Sequence, residues 1–101
     1  MKKSGIELIQ NERIRQTDVE GWTPEHDASH VNGELALVAA YYAMSEKQRL
    51  DEISTNSFVY DAPTGFPWSN EWWKPTPENR IKELVKAGAL IAAEIDRLQA
   101  Y

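Results

Sequence analysis

The 101-residue chain has eleven Lys and Arg, sixteen Asp and Glu, a formal net charge of −5 and no cysteine. Its length suits one small domain, and the acidic balance argues against nucleic-acid binding, which needs Lys and Arg clustered on one face. The lack of cysteine excludes disulfides and thiolate zinc sites and favours a cytoplasmic location, while no apolar run approaches the roughly 18 residues of a membrane span.

The first predicted helix covers about residues 4–19, with Ser4 as its N-cap and Gly21 as its stop. The segment "TPEHD" follows, in which Thr23 can cap a short helical turn and Pro24 fits its first position. These signals predict a capped turn between two helices.

A second helix is predicted over about residues 32–44, beginning at Asn32 or Ser29. We expect one face of this helix to be buried, because apolar side chains recur on it at helical spacing. That face consists of Leu35, Val38, Ala39 and Tyr42. Ser45 then either lets the helix continue with a bend to about residue 53 or begins a separate short helix.

Residues 54–75 break the helical period with Pro, Gly, Ser and Asn, yet this loop is rich in aromatic residues. We expect it to be ordered and to fold back on the helices, because disordered segments are poor in aromatics. The aromatic residues are Phe58, Tyr60, Phe66, Trp68, Trp72 and Trp73. The segment "FVY" is at most a short extended piece. Neighbouring side chains point in different directions, so we expect one Trp of the "WW" pair to be exposed or at an interface.

The last predicted helix covers about residues 77–100, with Thr76 as its cap and Pro77 at its first position. Apolar residues along it alternate three and four apart, which is typical of a helix-packing seam. The seam consists of Ile81, Leu84, Gly88, Ile91, Ile95 and Leu98. We expect it to be buried partly against its own domain and partly against a second copy in a homo-oligomer. The predicted fold is a single all-α domain, residues 1–101, with an antiparallel three- or four-helix arrangement.

Four segments in this order carry a resemblance to a known family: "IELIQNERIRQ", "GWTPEH", "GELALVAAYYA" and "RIKELVKAGALIAAEIDRL". Together they resemble the small MazG-like proteins of phages and prophages. The resemblance implies an all-α, usually oligomeric fold that holds a nucleoside triphosphate and Mg²⁺ and releases pyrophosphate.

Active MazG-like enzymes hold Mg²⁺ with acids spaced "EExxE" on one helix and "ExxD" on the next, and this chain departs from both patterns. Only Glu34 occupies the first region, and Glu83 is followed by Lys86 where an Asp would be required. Lys86 could meet a phosphate, although a surface ion pair with Glu83 is the simpler interpretation. An active enzyme would need another acid set, such as Glu12, Glu34 and Glu83.

A transition-metal site could in principle be made from His26, Asp27, His30 and Glu34. Asn32 and Gly33 favour a cap or turn there, which would direct the His side chains apart. We therefore expect no tightly held metal and a capped or hydrogen-bonded loop.

The predicted ligand site lies where the Trp22 corner, the aromatic loop and the start of the last helix meet. Trp rings offer stacking faces, and the helix N-terminus at Thr76-Pro77 with nearby Lys and Arg would attract an anion. The proposed residues are Trp22, Trp68, Trp72, Trp73, Lys74, Arg80 and Lys86. The same rings could instead complete a small core. The segment "RIRQTDVEGWTPEHD" also resembles ryanodine-receptor repeat domains, which occur in phages and are suspected ligand-binding modules.

These observations favour a non-catalytic, phage-type binder of a nucleotide-like or phosphorylated small molecule, such as one that sequesters a host defence signal. No cofactor is expected, and Mg²⁺ would be needed only by an enzyme. One alternative is a MazG-like nucleoside triphosphate pyrophosphohydrolase. Another is an inhibitor that presents its acidic surface and Trp loop to a host protein. No nucleic acid or membrane is expected as a partner.

Overall fold

A computed structural model of the chain describes residues 2–23, 29–30, 32–51, 62–63 and 65–100. Its helices are α1 (Gly5–Asp18), α2 (Glu34–Ala43), α3 (Glu46–Asp51) and α4 (Arg80–Gln99), with one turn of 3₁₀ helix at Asn70–Trp72. The described residues contain no strand, so the prediction of an all-α fold is confirmed. No helix in these ranges is both long enough and apolar enough to cross a bilayer.

Helix α1 begins with the predicted cap. The Ser4 hydroxyl accepts from the Glu7 backbone N–H at 3.2 Å, and the Glu7 carboxylate accepts from the Ser4 N–H at 3.3 Å. This reciprocal capping box satisfies two donors that the first turn would otherwise leave free. The helix ends at Asp18 with Val19 as its C-cap, and Gly21 follows in a left-handed conformation at φ 75°.

Helix α2 begins two residues later than predicted, because Gly33 rather than Asn32 or Ser29 is its N-cap. Gly33 is left-handed at φ 79° and makes no side-chain cap. The Glu34 carboxylate instead accepts from the Asn32 N–H at 2.6 Å. The turn predicted over "TPEHD", residues 23–27, lies outside the described residues except for Thr23.

Helix α3 is a separate short helix, which was one of the two alternatives at Ser45. The chain leaves helical geometry at Met44, the C-cap of α2. The Ser45 hydroxyl then accepts from the Gln48 N–H at 3.2 Å, and Gln48 Oε1 accepts from the Ser45 N–H at 3.2 Å. Residues 52–53, the end of the predicted extension, and the "FVY" piece, with Phe58 and Tyr60, lie outside the described residues.

Helix α4 begins at Arg80, and the predicted start at Thr76-Pro77 is wrong. Asn79 is the N-cap, and its side chain accepts from the Lys82 N–H at 3.2 Å. Residues 76–79 form a turn closed by the Asn79 N–H on the Thr76 carbonyl at 2.8 Å. The Thr76 N–H is already donated to the Glu83 carboxylate at 3.0 Å. Thr76 and Pro77 therefore do not provide the anion-attracting helix N-terminus that the sequence predicted.

The core forms where α4 packs against both α1 and α2. The predicted face of α2 is confirmed, since Leu35, Val38, Ala39 and Tyr42 are all buried. From the aromatic loop, Trp73 is buried in this core, and Phe66 and Trp68 pack against it.

The buried face of α4 differs from the predicted seam. The residues that face the core are Glu83, Lys86, Ala87, Ala89, Leu90 and Ala93. The predicted seam residues Ile81 and Leu98 are instead 66% and 58% exposed. Gly88 is the exception, because it packs against Ile9 of α1. The prediction that the seam is buried within its own domain is therefore wrong. The alanine-rich face is buried instead, because small side chains allow close packing and the two charged residues on it, Glu83 and Lys86, have tertiary partners.

Candidate functional site

Three Trp rings and one His ring converge on an open cleft of about 270 Å³, lined by Trp22, His30, Trp68, Ser69 and Trp72. We call it the Trp cleft. The Trp22 centroid lies 5.8 Å from that of Trp68 and 6.1 Å from that of Trp72. The His30 ring lies 5.0 Å from the Trp68 ring. These ring pairs are edge-on or tilted and not stacked, so open space remains between the rings.

Local hydrogen bonds hold Trp22 on its side of the cleft. The chain turns after α1 because the Trp22 N–H donates to the Gln16 carbonyl at 2.9 Å. Arg13 Nη1 donates to the Trp22 carbonyl at 3.2 Å, which ties the turn to the side of α1. Trp22 therefore has a fixed place beside the last turn of α1.

The other wall is set by two tight turns in the aromatic loop. The Phe66 N–H donates to the Pro63 carbonyl at 3.0 Å, and the Trp72 N–H donates to the Ser69 carbonyl at 2.9 Å. The Phe66 ring contacts Trp68 edge-on at 6.0 Å and Trp73 at 5.6 Å. Phe66 thus connects the wall of the cleft to the core.

The "WW" pair divides between the cleft and the core, as the sequence predicted for one of the two residues. Trp72 is 36% exposed and lines the cleft, whereas Trp73 is 6% exposed. The Trp73 ring stacks on Tyr42 with centroids 4.5 Å apart. Trp73 therefore belongs to the core, and its predicted place in the ligand site is corrected.

A small charged cavity lies next to the Trp cleft and shares Trp22 and Trp72 with it. Its charged lining residues are Glu12, Arg15, Glu20, Lys74 and Lys86. Its volume of about 30 Å³ leaves room for only one or two water molecules.

Most charges around this cavity are already paired. Arg15 donates to Glu12 at 2.7 Å and to Glu20 at 3.0 Å, and these bonds hold the pKa of Arg15 above its ordinary value. The hydrogen bond from Arg15 holds the pKa of Glu20 below its usual range, although burial opposes this. Lys74 Nζ lies 3.4 Å from both Glu20 oxygens and 5.7 Å from the Trp72 ring centroid.

Lys86 is buried, with 8% of its surface exposed, so the prediction that it forms a surface ion pair with Glu83 is wrong. Its ammonium donates to the Lys74 carbonyl at 2.5 Å and lies 5.4 Å from the Tyr42 ring centroid. Burial lowers the pKa of Lys86 because it disfavours the charged form. Lys86 lines the charged cavity and not the Trp cleft.

Arg80 and Glu83 form part of a structural network away from the Trp cleft. Glu83 Oε2 accepts from Arg49 at 2.8 Å and from the Thr76 N–H at 3.0 Å, while Arg80 Nη1 lies 3.5 Å from Glu83 Oε1. The Arg80 guanidinium also donates to the carbonyls of Tyr42, Ala43 and Met44 at the end of α2. Arg80 thus caps a helix, and the predicted phosphate contact is replaced by these three carbonyls.

The three acids of the alternative site have separate partners. Glu12 pairs with Arg15, Glu83 pairs with Arg49, and Glu34 Oε2 lies 3.3 Å from His30 Nδ1. Burial would raise the pKa of Glu34, but the hydrogen bonds it accepts outweigh burial and lower that pKa. Among the described residues, no three His, Cys, Asp or Glu side chains are grouped so that they could hold a metal ion.

The structure thus brings together Trp22, Trp68, Trp72 and Lys74 from the predicted site. It adds His30, which the sequence analysis weighed as a metal ligand but expected to lie in a capped or hydrogen-bonded loop, and Ser69, which carried no sequence signal. His26 and Asp27 lie outside the described residues. Searches of protein-family models, curated proteins and solved structures find no match to this chain.

Proposed function

We propose that the protein is a non-catalytic binder of a nucleotide-like small molecule, with a planar ring in the Trp cleft and an anionic group beside Lys74. The Trp cleft is the observation that carries this proposal. Its rings come from the segment after α1, the segment before α2 and the aromatic loop, and they leave an open space between them.

A planar ring is the ligand chemistry that this cleft suits best. A volume of about 270 Å³ is just below the range of roughly 300–1,000 Å³ typical of small-molecule sites, which favours one ring system over a large molecule. Trp72 is partly exposed and offers a face for stacking, which contributes roughly 1–3 kcal/mol per base in nucleotide-binding proteins. Ser69 adds a hydroxyl group that can hydrogen-bond to a ring substituent.

The position of Lys74 favours an anionic group on the ligand. Its side chain is 53% exposed, and its contact with Glu20 is long at 3.4 Å. The ammonium lies on the side of Trp72 where Glu71, Trp72 and Lys74 line a shallow depression. A phosphate there would interact with Lys74 without entering the small charged cavity, and its attraction to Lys74 has to exceed its repulsion by Glu71.

The partners of Glu83 argue against MazG-like pyrophosphohydrolysis, which would need acids grouped around Mg²⁺. Both Glu83 oxygens are engaged by Arg49, Thr76 and Arg80. A Mg²⁺ ion at Glu83 would have to break a buried ion pair, and Lys86 nearby would repel it.

The first test is calorimetric titration with adenosine, uridine, their 5′-monophosphates and ribose 5-phosphate. We expect the nucleotides to bind more tightly than the nucleosides, and ribose 5-phosphate to bind weakest because it lacks the ring. Trp72→Ala should weaken nucleotide binding by roughly 5- to 150-fold, the range that the loss of one stacked base implies. Leu37→Ala, which truncates another partly exposed apolar side chain, should leave binding unchanged.

Lys74→Gln tests the anionic half of the proposal, with the exposed Lys82→Gln as its matched control. We expect Lys74→Gln to remove the preference for nucleotide over nucleoside while nucleoside binding persists. Failure of all these compounds to bind would contradict the proposal, as would a Trp72→Ala variant with full affinity. Release of pyrophosphate from nucleoside triphosphates with Mg²⁺ would establish the enzyme alternative instead.

A further inference from the structure

Helix α4 carries a row of aliphatic side chains that remain about half exposed to solvent. The row consists of Ile81, Leu84, Ile91, Ile95 and Leu98, which are 66%, 45%, 48%, 50% and 58% exposed. We call it the α4 row. It lies on the side of α4 that faces away from the buried residues Lys86, Leu90 and Ala93.

The spacing of the α4 row is that of a helix-pairing seam. Its members fall on the a and d positions of a heptad, with Gly88 filling the remaining a position. From Ile81 to Leu98 the row is about 26 Å long at 1.5 Å per residue. Since Gly88 packs on Ile9 of α1, the aliphatic members on either side of it form the exposed surface.

We infer that the α4 row pairs with the same row of a second copy, in an antiparallel dimer about a two-fold axis. A row with heptad spacing is complementary to itself, because the side chains of one helix fit between those of the other. The exposed apolar area of the row is on the order of 500 Å². That is about the apolar part of a standard-size protein–protein interface, which buries roughly 800 Å² per partner.

The helix dipoles favour the antiparallel orientation, because each copy then places the positive N-terminus of its α4 beside the negative C-terminus of the other. The charged residues beside the row do not set the orientation. Arg80 donates to the carbonyls at the end of α2, and Glu94 pairs with Arg97 at 2.5 Å.

Sedimentation velocity over a concentration series tests the dimer. We expect the wild-type protein to be a dimer, and Ile91→Glu to shift it to monomer with a dissociation constant raised at least about tenfold. Ile14→Glu is the matched control, because Ile14 is 52% exposed on α1 and lies outside the row. Circular dichroism should show both variants folded, since each replaces an exposed side chain. A monomeric wild-type protein, or an Ile91→Glu variant that dimerises normally, would overturn the inference.

Cysteine cross-linking tests the orientation, and the native chain has no cysteine to interfere. In an antiparallel pair, Ile91→Cys lies near the two-fold axis and should cross-link to its own counterpart under mild oxidation. Leu98→Cys alone should not cross-link, but it should do so when mixed with Ile81→Cys. Equal self-cross-linking of Leu98→Cys would show a parallel pair. The result does not depend on whether the protein binds nucleotides.

Discussion

At the scale of single residues, the Arg49–Glu83 ion pair is the most consequential contact in the core. Arg49 is 0% exposed and Glu83 is 1% exposed, with 2.8 Å between Arg49 Nη2 and Glu83 Oε2. The guanidinium carbon also lies 5.6 Å from the Trp73 ring centroid. Removing two charges from water is costly, so the intact pair adds little net stability. Removal of one partner is strongly destabilising, because the other charge then stays buried without a counter-ion.

We expect Glu83→Gln to lower the free energy of unfolding by about 3–5 kcal/mol, because it leaves the Arg49 charge buried without its counter-ion. Urea denaturation measures this loss. Glu78→Gln removes the same charge from an exposed turn residue and should change stability by less than about 0.5 kcal/mol. Equal losses in the two variants would show that the ion pair has no special role.

At the scale of helices, α1 is held to α4 by a close approach at one glycine. A Cβ atom on Gly88 would lie 2.5 Å from Ile9 Cδ1 and 2.8 Å from Ile9 Cγ1. Only a residue without a side chain allows this contact, although glycine in a helix interior costs about 1 kcal/mol relative to alanine. Gly88 is therefore a point of close contact, but its partner is α1 and not a second copy.

We expect Gly88→Ala to lower the free energy of unfolding by about 1–3 kcal/mol, because Ile9 must shift and this outweighs the gain in helix propensity. In an Ile9→Ala background the same substitution should become neutral or stabilising, since the obstructing atoms are gone. A double-mutant cycle measures this coupling. Additive effects would contradict the Ile9 contact. The oligomeric state should not change in either background.

Local signals predicted the three longer helices and the caps at Ser4 and Ser45 but missed the starts of α2 and α4, whereas tertiary partners decided which faces the helices bury. Ser4 and Ser45 cap their helices as expected, because a cap depends only on residues three positions away. The buried face of α4 could not be predicted from hydrophobic spacing, since Glu83 is satisfied by Arg49, 34 residues earlier in the chain. Arg80 was assigned to the ligand for the same reason, because nothing in the sequence shows the carbonyls it caps.

The candidate site was predicted more completely than the packing of α4. Trp22, Trp68 and Trp72 do converge on one cleft. Aromatic side chains outside the main helices of so small a chain have few surfaces to pack against, so they pack near one another. Trp73 could not be distinguished from Trp72 by residue type alone. Only the stacking on Tyr42 shows which of the pair belongs to the core.

At the scale of the whole molecule, Tyr42 joins α2 to the segment that leads into α4. Its buried hydroxyl accepts from the Lys74 N–H at 2.9 Å. Burial raises the pKa of Tyr42 from 10.0 to about 12, because the phenolate would be poorly solvated there. The folded protein therefore keeps this proton between pH 10 and 12, whereas the unfolded chain releases it.

The contribution of Tyr42 to stability is fully present below pH 10 and is lost as the pH rises through about 12. We expect the wild-type protein to lose about 2–3 kcal/mol more than Tyr42→Phe over this interval. Lys86 acts in the opposite sense, since its lowered pKa makes stability rise with pH up to 10.5, but both proteins retain Lys86. Urea unfolding at several alkaline pH values measures the difference. Parallel pH profiles for the two proteins would contradict the assignment.

The position of α4 at the centre of the fold has a consequence for biosynthesis. Both α1 and α2 make their main helix contacts with α4, yet α4 comes after them in the sequence. While the ribosome is still translating α4, the Leu35 and Val38 face of α2 lacks the helix that makes most of its helix contacts. The nascent chain thus exposes its future core until translation of α4 is complete, and a chaperone has that interval in which to bind it.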